Sequence, residues 1–259
     1  DTPHTGVMGY DEKYDKIPTA ALTMEDAMML GRIHERKQKI TLKLHMEAKT
    51  VGDRWSRNII SEIKGHEHPD EIVVVGAHID SWDVGQGAHD DGGGCIASWE
   101  VLRLIKTLGL KPKRTIRCVL WTNEENGLRG SKSYRDMHLD ELDNHIVAIE
   151  SDAGVFAPQG FGFSGNKDAR KIIENIHELL KPIKANQITD WGRAPDVATL
   201  NDEGIPVMSL NVDLSKYFWY HHSAADTFDK VDFHDFNKCV AAMAIMAFVI
   251  ADLDRPLPR

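Results

Sequence analysis

Cysteine, excess positive charge, long apolar runs and repetitive sequence are all scarce in this chain. Among its 259 residues only Cys95, Cys118 and Cys239 are cysteines, an odd number at wide spacing. That argues against a disulfide framework and against a thiolate-based zinc site. Their apolar neighbours make them small buried hydrophobes, so they leave the redox compartment open. The net charge is −9, and an acidic protein of this size is not expected to bind a phosphate backbone, which sets nucleic acid aside. The longest apolar run covers residues 239–251, 13 residues between Lys238 and Asp252. It is too short to span a bilayer, so a buried C-terminal helix and no membrane partner are expected. No apolar leader core opens the sequence and no Asn-x-Ser/Thr site occurs. A targeting signal is therefore expected to be absent or already removed, and glycosylation gives no hint of secretion. Gly and Pro number 20 and 10 with no period, which excludes collagen-like and low-complexity chains. With 42% apolar and 27% charged residues the composition is that of a globular protein long enough to bury a sizeable core.

The texture changes along the chain. Residues 1–18 are polar and contain Pro, with no apolar period. Thr23, with Asp26 three residues on, predicts a helix start, and Ala27, Met28, Leu30 and Ile33 can form one apolar side. Ile40, Leu42, Leu44 and Met46 alternate with Thr41, Lys43 and His45, a strand period. From residue 58 the pattern is α/β, with strands expected over 58–63, 71–79, 115–121, 146–149 and 207–212. Helices are expected over 92–108, through about 137, over 167–180 ending before Pro182, and over 233–251. The β-branched run Ile72-Val73-Val74-Val75 marks a strand covered on both faces. The alternation implies a mixed, largely parallel central sheet sandwiched by helices, and in such sheets ligands bind at the carboxyl ends of strands.

Polar residues collect at those ends. The first covered strand ends in His78-Ile79-Asp80. A His there is most often a satisfied polar residue, but Asp80 can accept its second ring N–H and set its tautomer, as carboxylates do for metal-binding His. Next comes Gly85-Gln86-Gly87-Ala88-His89-Asp90-Asp91-Gly92-Gly93-Gly94. A phosphate cradle is opposed by its two aspartates. A cation site and an Asp-capped helix start both remain open. The 115–121 strand leads to Glu124-Glu125, which can divide metal binding from proton handling or can simply favour the start of a helix. Glu150-Ser151-Asp152 follows another strand, and Tyr217–Tyr220 leads into His221-His222-Ser223-Ala224-Ala225-Asp226-Thr227. Two His and three or four carboxylates converging on one cleft form the mixed N/O set expected of two zinc ions, not of magnesium or a thiolate site.

The order His-x-Asp, Asp-Asp-Gly, Glu-Glu, Ser-Asp and His-Ser-x-x-Asp-Thr resembles the co-catalytic zinc peptidases of the M28 family. The wordings from Gly76 to Gly94 and from His221 to Thr227 resemble a carboxypeptidase subgroup of it, and the resemblance runs from about residue 3 to the C-terminus. It implies a zinc-exopeptidase fold and two zinc ions per chain. His78 and Asp152 would hold one ion, Glu125 and His222 the other, and Asp90 would bridge them. Glu124 would be the general base, Asp80 and Asp226 would orient His78 and His222, and His221 would face the reacting oxygen. A cis peptide at Asp90–Asp91 is implied as well. Substrates would be short peptides, most of all dipeptides with free termini; a homodimer and a secreted or lysosomal location are implied by the resemblance alone. Members of the subgroup are longer and carry a protease-associated lid. Residues 1–50 resemble its tail and return strand, and 51–259 the catalytic domain. Two rival readings are a non-catalytic binding protein on the same fold and a single-zinc acyl transferase of glutaminyl-cyclase type. Trp82 and Tyr217–Tyr220 can line a pocket or pack in the core.

Overall fold

Successive residues of the Ile72–Val75 run enter two different cores. Val73 and Val75 join Val101, Ile116 and Phe161 on one side of the sheet, while Ile72 and Val74 join Val119, Trp121 and Tyr134 on the other. This is the period-two geometry of a strand with both faces covered. The computed structural model describes residues 2–49 and 51–259. Asp1 and Thr50, the expected limits of the first module, lie outside the described residues.

In chain order the elements are α1 (Met24–Glu35), β1 (Ile59–Ile63), β2 (His68–His78), α2 (Gly93–Thr107), β3 (Arg114–Trp121), α3 (Arg129–Met137) and β4 (His145–Glu150). There follow β5 (Pro158–Ser164), α4 (Lys167–Ile176), β6 (Gln187–Thr189), α5 (Pro195–Asn201), β7 (Val207–Val212), α6 (Tyr217–Tyr220) and α7 (Phe233–Asp252). The seven strands form one mixed sheet in the order β1-β3-β2-β4-β7-β5-β6. β3, β2, β4 and β7 run parallel to one another, with β1 antiparallel at one side and β5 antiparallel to β7. The four parallel strands therefore deliver their carboxyl ends to a single edge. On one face Cys239, Ala242, Met243, Met246, Ala247 and Ile250 of α7 pack with residues of α2 and α4. That spacing is a helical stripe, and it places the longest apolar run in the core. On the other face lie Tyr134 of α3 and Val197 and Leu200 of α5. All three cysteines are buried free thiols.

Several expectations need correction. Residues 40–46 form no strand, and Leu42, Leu44 and Met46 are exposed. An alternating pattern offers a face but does not by itself secure a ladder partner, and these residues stay unpaired although the outer edge of β1, which pairs only with β3 among the described residues, is open. Thr23 does cap α1 by accepting the Asp26 N–H at 3.1 Å, yet no residue of that helix is buried. The helix from Lys167 ends at Ile176, and a tighter 3-10 segment, His177–Ile183, carries the chain through Pro182. Pro182 lacks the N–H that an α-helical turn there would use. β5, β6 and α5 were not legible. The Gly-rich β5 has the composition of a turn, but its glycines are needed for packing, since a Cβ on Gly162 would collide with the Trp191 carbonyl.

A buried polar chain braces the sheet on the α3 side. Arg117 of β3 donates to Glu62 at 2.6 Å and to the Tyr134 hydroxyl at 2.7 Å. The Tyr134 hydroxyl sits 2.8 Å from His145 Nε2, and His145 Nδ1 lies 2.9 Å from the Glu141 carbonyl. This order suits a neutral His145 donating from Nδ1. Burial, with Arg117 adding, pushes the His145 pKa down to about 4. An unfolded chain takes up that proton near pH 6.5, so the contribution is complete above about 6.5 and is lost as pH falls toward 4. It amounts to about 3 kcal/mol. Denaturant titrations should therefore show a steeper loss between pH 6.5 and 4.5 in the parent protein than in His145→Gln. Equal losses in the two would show that His145 does not carry the effect.

Candidate metal centre

His78 is the last residue of β2 and is buried. Its Nδ1 lies 2.7 Å from the Asp80 main-chain carbonyl, and the Asp80 carboxylate is 3.9 Å away. The expected carboxylate orienter is thus a backbone oxygen instead. The Asp80 carboxylate accepts the main-chain N–H groups of Glu124 at 3.0 Å and Glu125 at 3.3 Å. It pins the loop after β3, where Asn123 adopts a positive φ of 60°. The ring's other nitrogen, His78 Nε2, faces Asp90 Oδ1 at 3.0 Å and Asp152 Oδ1 at 3.2 Å.

Asp90 lies in the turn before α2, and the Asp90–Asp91 peptide is cis. Asp226, expected to orient His222, instead accepts the main-chain N–H of His89 at 2.8 Å and that of Asp90 at 3.0 Å. The reason is the fold: the loop after α6 passes beneath the Asp90 turn, and two buried N–H groups there need an acceptor. Asp91 accepts from the N–H groups of His78 and Gly94, both at 3.2 Å. The second oxygen of Asp90 lies 3.2 Å from His222 Nε2 and 3.5 Å from His221 Nε2. Glu125 Oε2 is 3.0 Å from His222 Nε2 and also accepts the Trp82 indole N–H at 2.6 Å.

All five expected ligands, His78, Asp90, Glu125, Asp152 and His222, are therefore brought together, with one oxygen of Asp90 toward each His. Ligand-capable atoms of His78, Asp90 and Asp152 lie within 4.8 Å of one another, as do those of Asp90, His221 and His222. His221 joins the second group, where Glu125 was expected; Glu125 is drawn toward Trp82 and reaches the group through His222.

The electrostatics fit a cation. Asp90 Oδ2 and Glu125 Oε1 are buried and accept no hydrogen bond among the described residues. Among the described residues, Asp90, Asp152 and Glu125 have ion pairs only with His, never with Lys or Arg. Burial pulls the His222 pKa down, but Asp90 and Glu125 outweigh it and push it up to about 10. His78 is likewise raised by Asp152 and Asp90 against its burial, and Asp91 is raised by burial among neighbouring acids. Buried carboxylates this dense need positive charge, and N/O donors around a shared carboxylate suit divalent ions of the zinc type.

Glu124 occupies a different position. Its carboxylate has no hydrogen bond or ion pair among the described residues, and it lines a cavity of about 360 Å³ with Asp90, Glu125, Asp152, Tyr217, His221 and His222. Burial, with the charge of Asp152 adding, pushes its pKa up to about 8. Of the aromatic segment, Tyr217 lines this cavity, while Phe218 and Trp219 are exposed. Two contacts had no legible signal in the sequence, the indole of Trp82 on Glu125 and the carbonyl of Thr5 on His222 Nδ1 at 3.0 Å.

The profile of peptidase family M28 matches residues 58–247. The chain belongs to peptidase family M28. Among M28 relatives, carboxypeptidase Q of Homo sapiens is 45% identical over 258 residues, which are 100% of this chain and 55% of that protein. This chain thus spans about half the length of the curated relatives it matches. The crystal structure of a peptidase M28 precursor from Shewanella amazonensis SB2B superposes with a TM-score of 0.93 at 37% identity, covering 100% of this chain and 59% of that one. A zinc aminopeptidase from Bacillus subtilis shares the fold, with a TM-score of 0.59 at 22% identity over 78% of this chain and 53% of that one. The M28 assignment agrees with the mixed, helix-sandwiched sheet and with the strand-end motifs that first suggested it.

Proposed function

We propose that this chain carries the catalytic centre of a di-zinc exopeptidase that hydrolyses short peptides, dipeptides with free termini foremost. The observation that carries the reading is Asp90, whose two oxygens each face a different His. His78, Asp152 and Asp90 would hold one ion, and His222, Glu125 and Asp90 the other. When bound, such ions supply Lewis acidity toward a peptide carbonyl and toward water. Membership of M28 and likeness to carboxypeptidase Q support the substrate class.

The remaining work falls to the chain's own side chains. Glu124 stands free in the cavity, with a pKa near neutrality, where a carboxyl group can both accept and return a proton. It takes a proton from the attacking water as the new C–O bond forms. It then delivers that proton to the amine nitrogen as the C–N bond breaks. His221, facing the same cavity, is placed to donate a hydrogen bond to the developing oxyanion. Fold alone does not decide function, so metal stoichiometry and hydrolysis must be measured together. The expected result is two zinc ions per chain and release of both amino acids from a dipeptide. One zinc with no second site on titration would favour the glutaminyl-cyclase type. Two zincs with no hydrolysis of any di- or tripeptide would leave a binding protein.

A further inference from the structure

The two histidines at the centre are held by different means. His78 finds its Nδ1 acceptor two residues on, in the loop after β2, at the Asp80 carbonyl. His222 has no such local acceptor, because Asp226 is committed to the Asp90 turn. Its Nδ1 meets the carbonyl of Thr5, 217 residues away in sequence. Two more bonds tie the same segment to the His loop. The Thr5 N–H donates to the His222 carbonyl at 2.8 Å, and His4 Nδ1 donates to the His221 carbonyl at 2.5 Å. His222 itself sits at a φ of 56°, in the left-handed region that non-glycine residues seldom occupy. Neighbouring Val7 contributes to the wall of the cavity that Glu124 lines.

We infer that the N-terminal segment around Thr5 positions His222, with the Thr5 carbonyl acting as the orienting acceptor that a carboxylate supplies in many metal sites. The bond from Nδ1 leaves the Nε2 lone pair directed at Asp90 and Glu125. The reciprocal main-chain pair between Thr5 and His222 holds the loop in its left-handed conformation. One histidine of the centre is thus oriented by its own loop, and the other by the docking of residues 4–7. This inference rests on the proposed two-ion reading.

The test is zinc affinity, site by site, measured by chelator competition on three proteins: the parent chain, a chain lacking residues 1–9, and Thr5→Pro. The proline variant removes the N–H donated to His222 and restricts the backbone at residues 4 and 5 while leaving the Thr5 carbonyl in the chain, and it covers the case in which the deletion misfolds. In the deletion one site should weaken by about 10–100-fold, the range for lost orienting contacts; the proline variant should weaken the same site to a smaller extent, and in both the other site keeps the parent affinity. In the zinc-loaded parent, the Nδ1–H proton of His222 should show the downfield shift of a hydrogen-bonded imidazole N–H, and the deletion should move it toward the value of an unbonded one. Unchanged affinity at both sites, or an equal fall at both, overturns the positioning role. A parent chain that binds fewer than two zinc ions instead overturns the two-ion reading, and the two failures are thereby distinct.

Discussion

Glu124→Gln should lower peptide turnover by about 10²–10⁴-fold, the usual range for general acid–base catalysis, and leave zinc content untouched. Among the described residues the Glu124 carboxylate has no hydrogen bond or ion pair with either His, and it lines the cavity. The amide is nearly isosteric, so packing in the cavity survives, but it cannot take the proton of the attacking water. Because the loss falls on the transition state, substrate affinity should change little. Glu125→Gln should behave in the opposite sense. Glu125 touches His222 at 3.0 Å, so its neutralisation should weaken the ion held there. Zinc content and single-turnover hydrolysis of both variants check the pair. Zinc loss in Glu124→Gln with retention in Glu125→Gln reverses the roles, and full activity in Glu124→Gln removes the proton-transfer step altogether.

Asp90→Ala should empty both metal sites and abolish hydrolysis. Among the described residues Asp90 is the one carboxylate that faces both His78 and His222, at 3.0 and 3.2 Å through separate oxygens. Without it each ion keeps only one His and one other acid. Asp152→Ala is the control, since Asp152 contacts His78 alone among the two; it should weaken one site and spare the other. The same chelator titration checks both variants. An Asp90→Ala protein that retains one site at parental affinity would show that this carboxylate is not shared.

The local order of residues was enough to place the chemistry at strand ends. His78 follows the β-branched run of β2, Glu124 and Glu125 follow β3, Asp152 follows β4, and parallel strands end together. Hence His78, Glu124, Glu125 and Asp152, each weak alone, became legible as one set, together with the His221-His222 loop. The α7 stripe was legible for a similar reason, because a 3.6-residue period is written in adjacent residues. What the sequence could not convey is which partner a polar group takes when several are within chain reach. Asp80 and Asp226 each stand beside a His in sequence, yet both carboxylates serve main-chain N–H groups, Asp80 those of Glu124 and Glu125, Asp226 those of His89 and Asp90. Buried N–H groups have no alternative acceptor, whereas a ring nitrogen can turn to a backbone carbonyl. The strand pattern at 40–46 failed on the same kind of ground, since alternation does not say whether a segment docks on an edge, and here the outer edge of β1 stays unpaired while Leu42, Leu44 and Met46 are exposed. The docking of Thr5 on His222 was beyond any local signal. It joins segments 217 residues apart, and only the folded arrangement of the sheet edge brings them within reach of one hydrogen bond.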